Sequence, residues 1–137
     1  MKTSLNILLA TTSLMATSHE PDKIHCHKVY ESNGLIELHS AKELETLLDQ
    51  KGQKTYVDVY STYCPPCRTL APEFEKWAKD NSDQARFVKV NSNEVREIPE
   101  KYSIRGVPTL LVFDENGNLV DRKVGIYEIR DFMSNNP

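Results

Sequence analysis

Cys64-Pro65-Pro66-Cys67 sets two thiols three positions apart. If this segment opens a helix, the i, i+3 step brings the two Cα atoms to roughly 5 Å, inside the window of about 4.4–6.8 Å that a disulfide tolerates. The run before the pair, Thr55 to Tyr60, has the composition of a buried strand. The run after it repeats Leu70, Phe74, Trp77 and Ala78 at helical spacing. Cys64 is therefore expected where a strand's loop meets a helix N-terminus. There the helix dipole and free backbone N–H groups favour a thiolate, and the thiolate is the nucleophile of disulfide exchange. The pair reads as a redox centre in which Cys64, nearer the loop, attacks, and Cys67 resolves the mixed disulfide. A structural staple explains it poorly, because so short a loop removes little chain entropy.

Zinc is the competing chemistry for a CxxC pair, and it needs four ligands. The spare candidates nearest in type are Cys26 and its neighbours His25 and His27, far upstream in a polar stretch. Three adjacent ligands in such a stretch are more often incidental, and the two prolines stiffen the loop between the cysteines. The redox reading is preferred, with neither metal nor organic cofactor. The alternative is a non-catalytic binding module or metal carrier using His25, Cys26, His27 and the CxxC pair.

These residues must be positioned by a single domain, the size that 137 residues supports. A hydrophobic fraction of 39% builds one ordinary core, and a net charge of −3 with scattered Lys and Arg gives no footprint for nucleic acid. Residues 1–18 open with Met1-Lys2, continue through the apolar run Leu5 to Ala10, and reach small residues at Ala16 to Ser18. That order matches a secretory signal peptide and is too short to span a membrane as a mature helix. Residues 19–33 read as an irregular arm, and 34–137 as the domain. The expected location is extracytoplasmic, periplasmic or secreted, with the cytoplasm as the alternative.

Within the domain, Leu35 to Leu38 reads as a first strand. Ser40 and Glu43 form a capping box for a helix with Ala41, Leu44, Leu47 and Leu48 on its apolar face. A strand over 55–60 and a helix over 65–80 follow. A strand over 87–91 comes next, then a short helix within 93–102 bent near Pro99. Strands over 109–113 and 118–124 join through Asn116-Gly117. A last helix starts near Ile126 with Ile129, Phe132 and Met133 on one face. The order β-α-β-α-β-α-β-β-α predicts an α/β fold, a central mixed sheet with helices on both faces. Asp58 stands out in its strand. Val57 and Val59 point one way while Tyr56, Asp58 and Tyr60 point the other, so Asp58 is expected to be a buried carboxylate with a raised pKa.

This order, with Tyr63-Cys64-Pro65-Pro66-Cys67-Arg68 at the head of the second helix, resembles the thioredoxin family from Leu35 to Met133. Val57-Asp58-Val59-Tyr60 and Leu70-Ala71-Pro72 are similar to the segments flanking that family's active site. Tyr102 to Thr109 resembles the loop carrying its cis-proline, and Lys123-Val124-Gly125 the third loop of its substrate groove. Tyr63 and Tyr60 stand where tryptophans are usual, and Pro-Pro replaces Gly-Pro. The resemblance implies a thioredoxin fold and a protein-disulfide oxidoreductase working through a reversible Cys64–Cys67 disulfide. It places Asp58 beneath Cys67 to take its proton through water, makes Lys89 the neighbour that tunes Asp58, and makes Pro108 cis. Tyr63, Val107, Pro108 and Gly125 become the substrate-binding set, with Val107 pairing an extended substrate segment. The implied partners are protein disulfide or dithiol substrates and a reductase or membrane thiol electron donor, with the protein a monomer.

Overall fold

Strand β1 (Leu35–Leu38), helix α1 (Ala41–Asp49), strand β2 (Lys54–Tyr60) and helix α2 (Pro65–Asn81) succeed one another along the chain. Strand β3 (Ala85–Asn91), helix α3 (Glu97–Lys101), strands β4 (Thr109–Phe113) and β5 (Leu119–Val124), and helix α4 (Ile126–Asn135) complete it. They are seen in a computed structural model that describes residues 34–137. The expected leader over 1–18, the arm over 19–33 and the His25, Cys26, His27 cluster lie outside the described residues.

The five strands form one mixed sheet in the order β1-β3-β2-β4-β5. β1 and β2 both run parallel to β3, while β4 is antiparallel to β2 and β5 to β4. Alternation along β2 sends its side chains into two separate cores. Val57 and Val59 pack with Val88, Val90, Leu111 and Phe113 against Leu44 and Leu48 of α1 and Ile98 of α3. Tyr56 packs with Phe87, Leu110 and Val112 against Leu70, Phe74 and Trp77 of α2 and Ile129 of α4. Helices thus cover both faces, as the sequence predicts, and β2 is buried between them.

Three local expectations change in detail. Ser40 caps α1 by accepting the Glu43 N–H at 3.2 Å, but the Glu43 carboxylate reaches one residue further back and accepts the His39 N–H at 2.7 Å. The helix expected within 93–102 is confined to Glu97–Lys101. Asn91 competes for the preceding backbone: its Oδ1 accepts the Asn93 N–H at 3.0 Å, and its carbonyl accepts those of Glu94 and Val95. The hairpin turns through three residues between Asp114 and Asn118, with Gly117 at φ +80°. A side chain at Gly117 would put Cβ 2.6 Å from the Leu48 carbonyl oxygen, so this turn tolerates only glycine against α1.

Candidate active site

The bend that follows β2 is built by short polar side chains. Ser61 accepts the Cys64 N–H on its carbonyl at 3.2 Å and the Tyr63 N–H on its hydroxyl at 3.2 Å. Asn93 donates to the same hydroxyl at 2.8 Å, tying the bend to the segment after β3. Cys64 is thereby delivered to the N-cap of α2, with Pro65 and Pro66 in the first turn, where a missing N–H does not interrupt the helical ladder. Its sulfur accepts the Cys67 N–H at 3.3 Å, the geometry of a capping side chain. Cys64 and Cys67 are joined as a disulfide with Cα atoms 5.2 Å apart, close to the helical spacing expected.

The two sulfurs sit in different surroundings. Cys64 is half-buried and faces the loop before β4, its Sγ 3.6 Å from the Val107 carbonyl oxygen. Cys67 is buried within α2 and shares a cavity of about 170 Å³ with Asp58, Tyr60, Ser61, Arg68, Ala71 and Lys89. That volume is large enough for water, and although most of its lining is apolar, Asp58, Ser61 and Lys89 offer polar partners.

Asp58 is 2% exposed, and its Oδ1 has no hydrogen-bond partner. Burial pushes its carboxyl up to about 7, and the Lys89 ammonium opposes the rise only in part. Lys89 stands in register with Asp58 on β3, with its Nζ 4.9 Å from the centre of the Tyr60 ring and 3.8 Å from Glu75 Oε1. Asp58 is buried as expected, and Lys89 is its register partner on β3.

The loop before β4 supplies the opposite wall. Val107–Pro108 is cis, as expected. The Pro108 carbonyl accepts the Gly125 N–H at 2.9 Å, and Thr109 Oγ1 donates to the Gly106 carbonyl at 2.6 Å. Gly125 adopts φ +85° where β5 turns into α4, a conformation that favours glycine. Tyr63, 85% exposed, stands beside Cys64 on the rim. Cys64, Cys67, Tyr63, Val107, Pro108 and Gly125 therefore gather at one end of the sheet, with Asp58 and Lys89 beneath.

Sequence reasoning missed three supports. Arg122 of β5 donates to the Tyr102 and Ser103 carbonyls and so anchors the stretch leading to Val107, where Ser103 takes φ +52°. Ser61 is legible in hindsight, because a serine before a helix cap commonly satisfies turn amides. The Glu37 carboxylate accepts the Tyr60 hydroxyl hydrogen at 2.7 Å; its signal was the phase it shares with Leu35, toward the α2 face. Among the described residues, no three His, Cys, Asp or Glu side chains cluster to hold a metal, and His25, Cys26 and His27, on which the metal-carrier alternative drew, lie outside them.

The thioredoxin family model matches residues 36–135. A thioredoxin of Rickettsia bellii is 39% identical over 83 residues, covering 58% of this chain and 78% of that protein. One from Mycoplasma genitalium is 40% identical over 91 residues, covering 66% and 86%. The crystal structure of reduced Schistosoma mansoni thioredoxin pre-protein superposes with a TM-score of 0.66 at 36% identity, covering 74% of this chain and 96% of that one. With its cysteine pair bonded at the head of α2 and a match of this extent, the chain belongs to the thioredoxin family, a thiol–disulfide oxidoreductase that acts on protein disulfides with a reductase partner.

Proposed function

We propose a division of labour between the two sulfurs. The Cys64 thiolate attacks a substrate disulfide, forms a mixed disulfide and expels one substrate thiolate. Cys67 then gives up its proton and attacks Cys64 Sγ. The second substrate thiolate leaves, and two electrons have passed from the dithiol to the substrate as the Cys64–Cys67 bond closes. Asp58 takes the Cys67 proton through water in the shared cavity, and Lys89 tunes its charge. Tyr63, Val107, Pro108 and Gly125 receive the substrate, with Val107 pairing an extended segment in strand fashion.

The observation that carries this reading is the asymmetry between the sulfurs: Cys64 caps the helix beside the open loop, and Cys67 is buried on the Asp58 cavity. Cys67→Ser is expected to accumulate mixed disulfides with partner proteins, because attack proceeds and release does not. Cys64→Ser is expected to trap far fewer. Equal trapping by the two variants reverses the assignment.

We further propose that the protein acts outside the cytoplasm as a monomer and is recharged by a reductase or a membrane thiol donor. The leader-like order of residues 1–18 supports export. Protein recovered from its native cell should begin near His19, and an intact Met1 overturns the location.

A further inference from the structure

The face of the sheet beneath α2 carries a row of alternating charge. Glu37 on β1, Lys89 on β3 and Asp58 on β2 are register partners. Register partners on adjacent strands point to the same face, with the strands about 4.8 Å apart. Lys89 is thus flanked by a carboxylate on each side. Among the described residues its ion pair is with Glu75, and it makes none with Asp58 or with Glu37, whose Oε1 instead accepts the Tyr60 hydroxyl at 2.7 Å. The Tyr60 ring carries the Lys89 ammonium at 4.9 Å from its centre.

Other charged groups here are fewer. Glu75 on α2 approaches Lys89 Nζ at 3.8 Å, and Arg68 on α2 lines the cavity with Cys67. Glu94, after β3, acts on the Tyr60 phenol electrostatically. β4 presents apolar Leu110 beside Asp58, and Lys123 beyond it on β5 is paired with Asp121. Burial and the Glu37 carboxylate hold the Tyr60 phenol well above its ordinary range, so the hydroxyl remains a donor across neutral pH.

We propose that the Tyr60 hydroxyl, by engaging the Glu37 carboxylate, keeps Glu37 from capturing Lys89 and so leaves the field of the ammonium on its other register partner, Asp58. Tyr60 and Glu37 are then positioning residues for the Cys67 step. That last consequence rests on the reading of Asp58 as the base. With a phenylalanine at 60 the ring platform remains, but Glu37 loses its donor and lies in register beside the nearest cation. Lys89 turns toward Glu37, and Asp58 keeps its proton to higher pH.

A titration of the Asp58 carboxyl by 13C NMR in the oxidised full-length protein decides the matter, with Asp58→Asn identifying the signal. Tyr60→Phe is expected to raise the Asp58 midpoint by about half to one pH unit, part of the one to three units that a close opposite charge contributes. Glu37→Gln alone is expected not to raise it, and Tyr60→Phe with Glu37→Gln should return it to the wild-type value or below. An unmoved midpoint in Tyr60→Phe overturns the proposal. So does a double variant that retains the upward shift, since the hydroxyl would then act without Glu37. Stopped-flow reaction of the reduced protein with 5,5′-dithiobis(2-nitrobenzoate) releases one chromophore as Cys64 attacks and a second as Cys67 resolves. The Tyr60→Phe shift should reappear in the pH profile of the second phase. If Asp58→Asn leaves that profile unchanged, the base reading fails, and the carboxyl titration still decides the Glu37–Tyr60 contact by itself.

Discussion

The two faces of β2 carry the same sheet and opposite physics. Toward α1 and α3, Val57 and Val59 meet mainly aliphatic register neighbours, Val88, Val90 and Leu111, and the polar groups on this face are the uncharged Thr55 and Thr109. Toward α2 and α4, the face carries tilted aromatic pairs, Tyr56 against Trp77 at 4.7 Å and Phe87 at 5.3 Å between ring centres. Two residues on, the same face becomes polar with Asp58, Lys89 and Glu37. The apolar face gains the full transfer free energy of its side chains. The other face gives part of it up to keep a desolvated carboxylate near Cys67. A redox site of this kind therefore sits where one core is interrupted and its twin across the sheet is complete.

The complete face is the place for the largest loss. Phe113 is 1% exposed within it. Phe113→Ala should destabilise the oxidised protein by about 3–5 kcal/mol in urea unfolding, the usual range for deleting a buried ring, with no dependence on pH between 4 and 8. A loss below about 1 kcal/mol would mean that this face collapses around cavities and is not the rigid partner described.

The interrupted face should respond in the opposite direction. The Asp58 carboxyl titrates near 3.8 when solvated and is pushed up to about 7 by burial. Between those values the native state binds the proton that the unfolded chain has released, so wild-type stability falls as pH rises from about 4 to about 7, and the deficit persists above. At about 1.4 kcal/mol per pH unit, the deficit reaches on the order of 2–4 kcal/mol. Asp58→Asn carries no such charge. It should be more stable than wild type at pH 8 by up to that amount and gain nothing at pH 4. Equal stabilities at pH 8 would show that Asp58 is better solvated than its burial implies. The same variant should slow turnover near neutral pH while leaving attack by Cys64 less affected.

The difference between the faces was partly visible in the sequence. An aspartate in phase with two tyrosines and out of phase with two valines marks a carboxylate on one inner face of a strand, because side-chain period fixes direction. The Cys64 cap and the elements around it were legible for the same reason: their signals are local. What Asp58 faces is not local. Its meeting with Lys89 and Glu37 depends on the register of β3 against β2 and β1, and parallel strands are set by crossovers whose length does not specify register. Glu37 consequently read as an ordinary strand residue. Arg122, which spans from β5 to the carbonyls of Tyr102 and Ser103, was hidden because sequence pattern does not predict side-chain contacts to distant backbone. Helix α3 is shorter than 93–102 because the residues after Asn91 close as a turn on its side chain and carbonyl before the helix begins at Glu97.

The same contrast separates the two cysteines, and it yields the smallest and sharpest test. Cys67 is governed by burial, whereas Cys64 is governed by the donors at the start of α2. One such donor is in place, the Cys67 N–H at 3.3 Å, which stands at the third helical position. Capping side chains accept from the second or third position. The second position is Pro66, which has no N–H, and the first is Pro65, whose lost amide lies outside the capping reach. Pro66→Ala should therefore add a hydrogen bond to the Cys64 thiolate, while Pro65→Ala should add little. A charge-assisted bond at a half-exposed sulfur is worth about 1.5 kcal/mol, the low end of its range. Stabilising the thiolate favours the reduced protein, so the potential of Pro66→Ala should become less negative by about 30 mV. Redox titration against glutathione reads this directly. A larger shift in Pro65→Ala than in Pro66→Ala, or a move to more negative potential in either, would mean that loop stiffness rather than donor count sets the poise of Cys64.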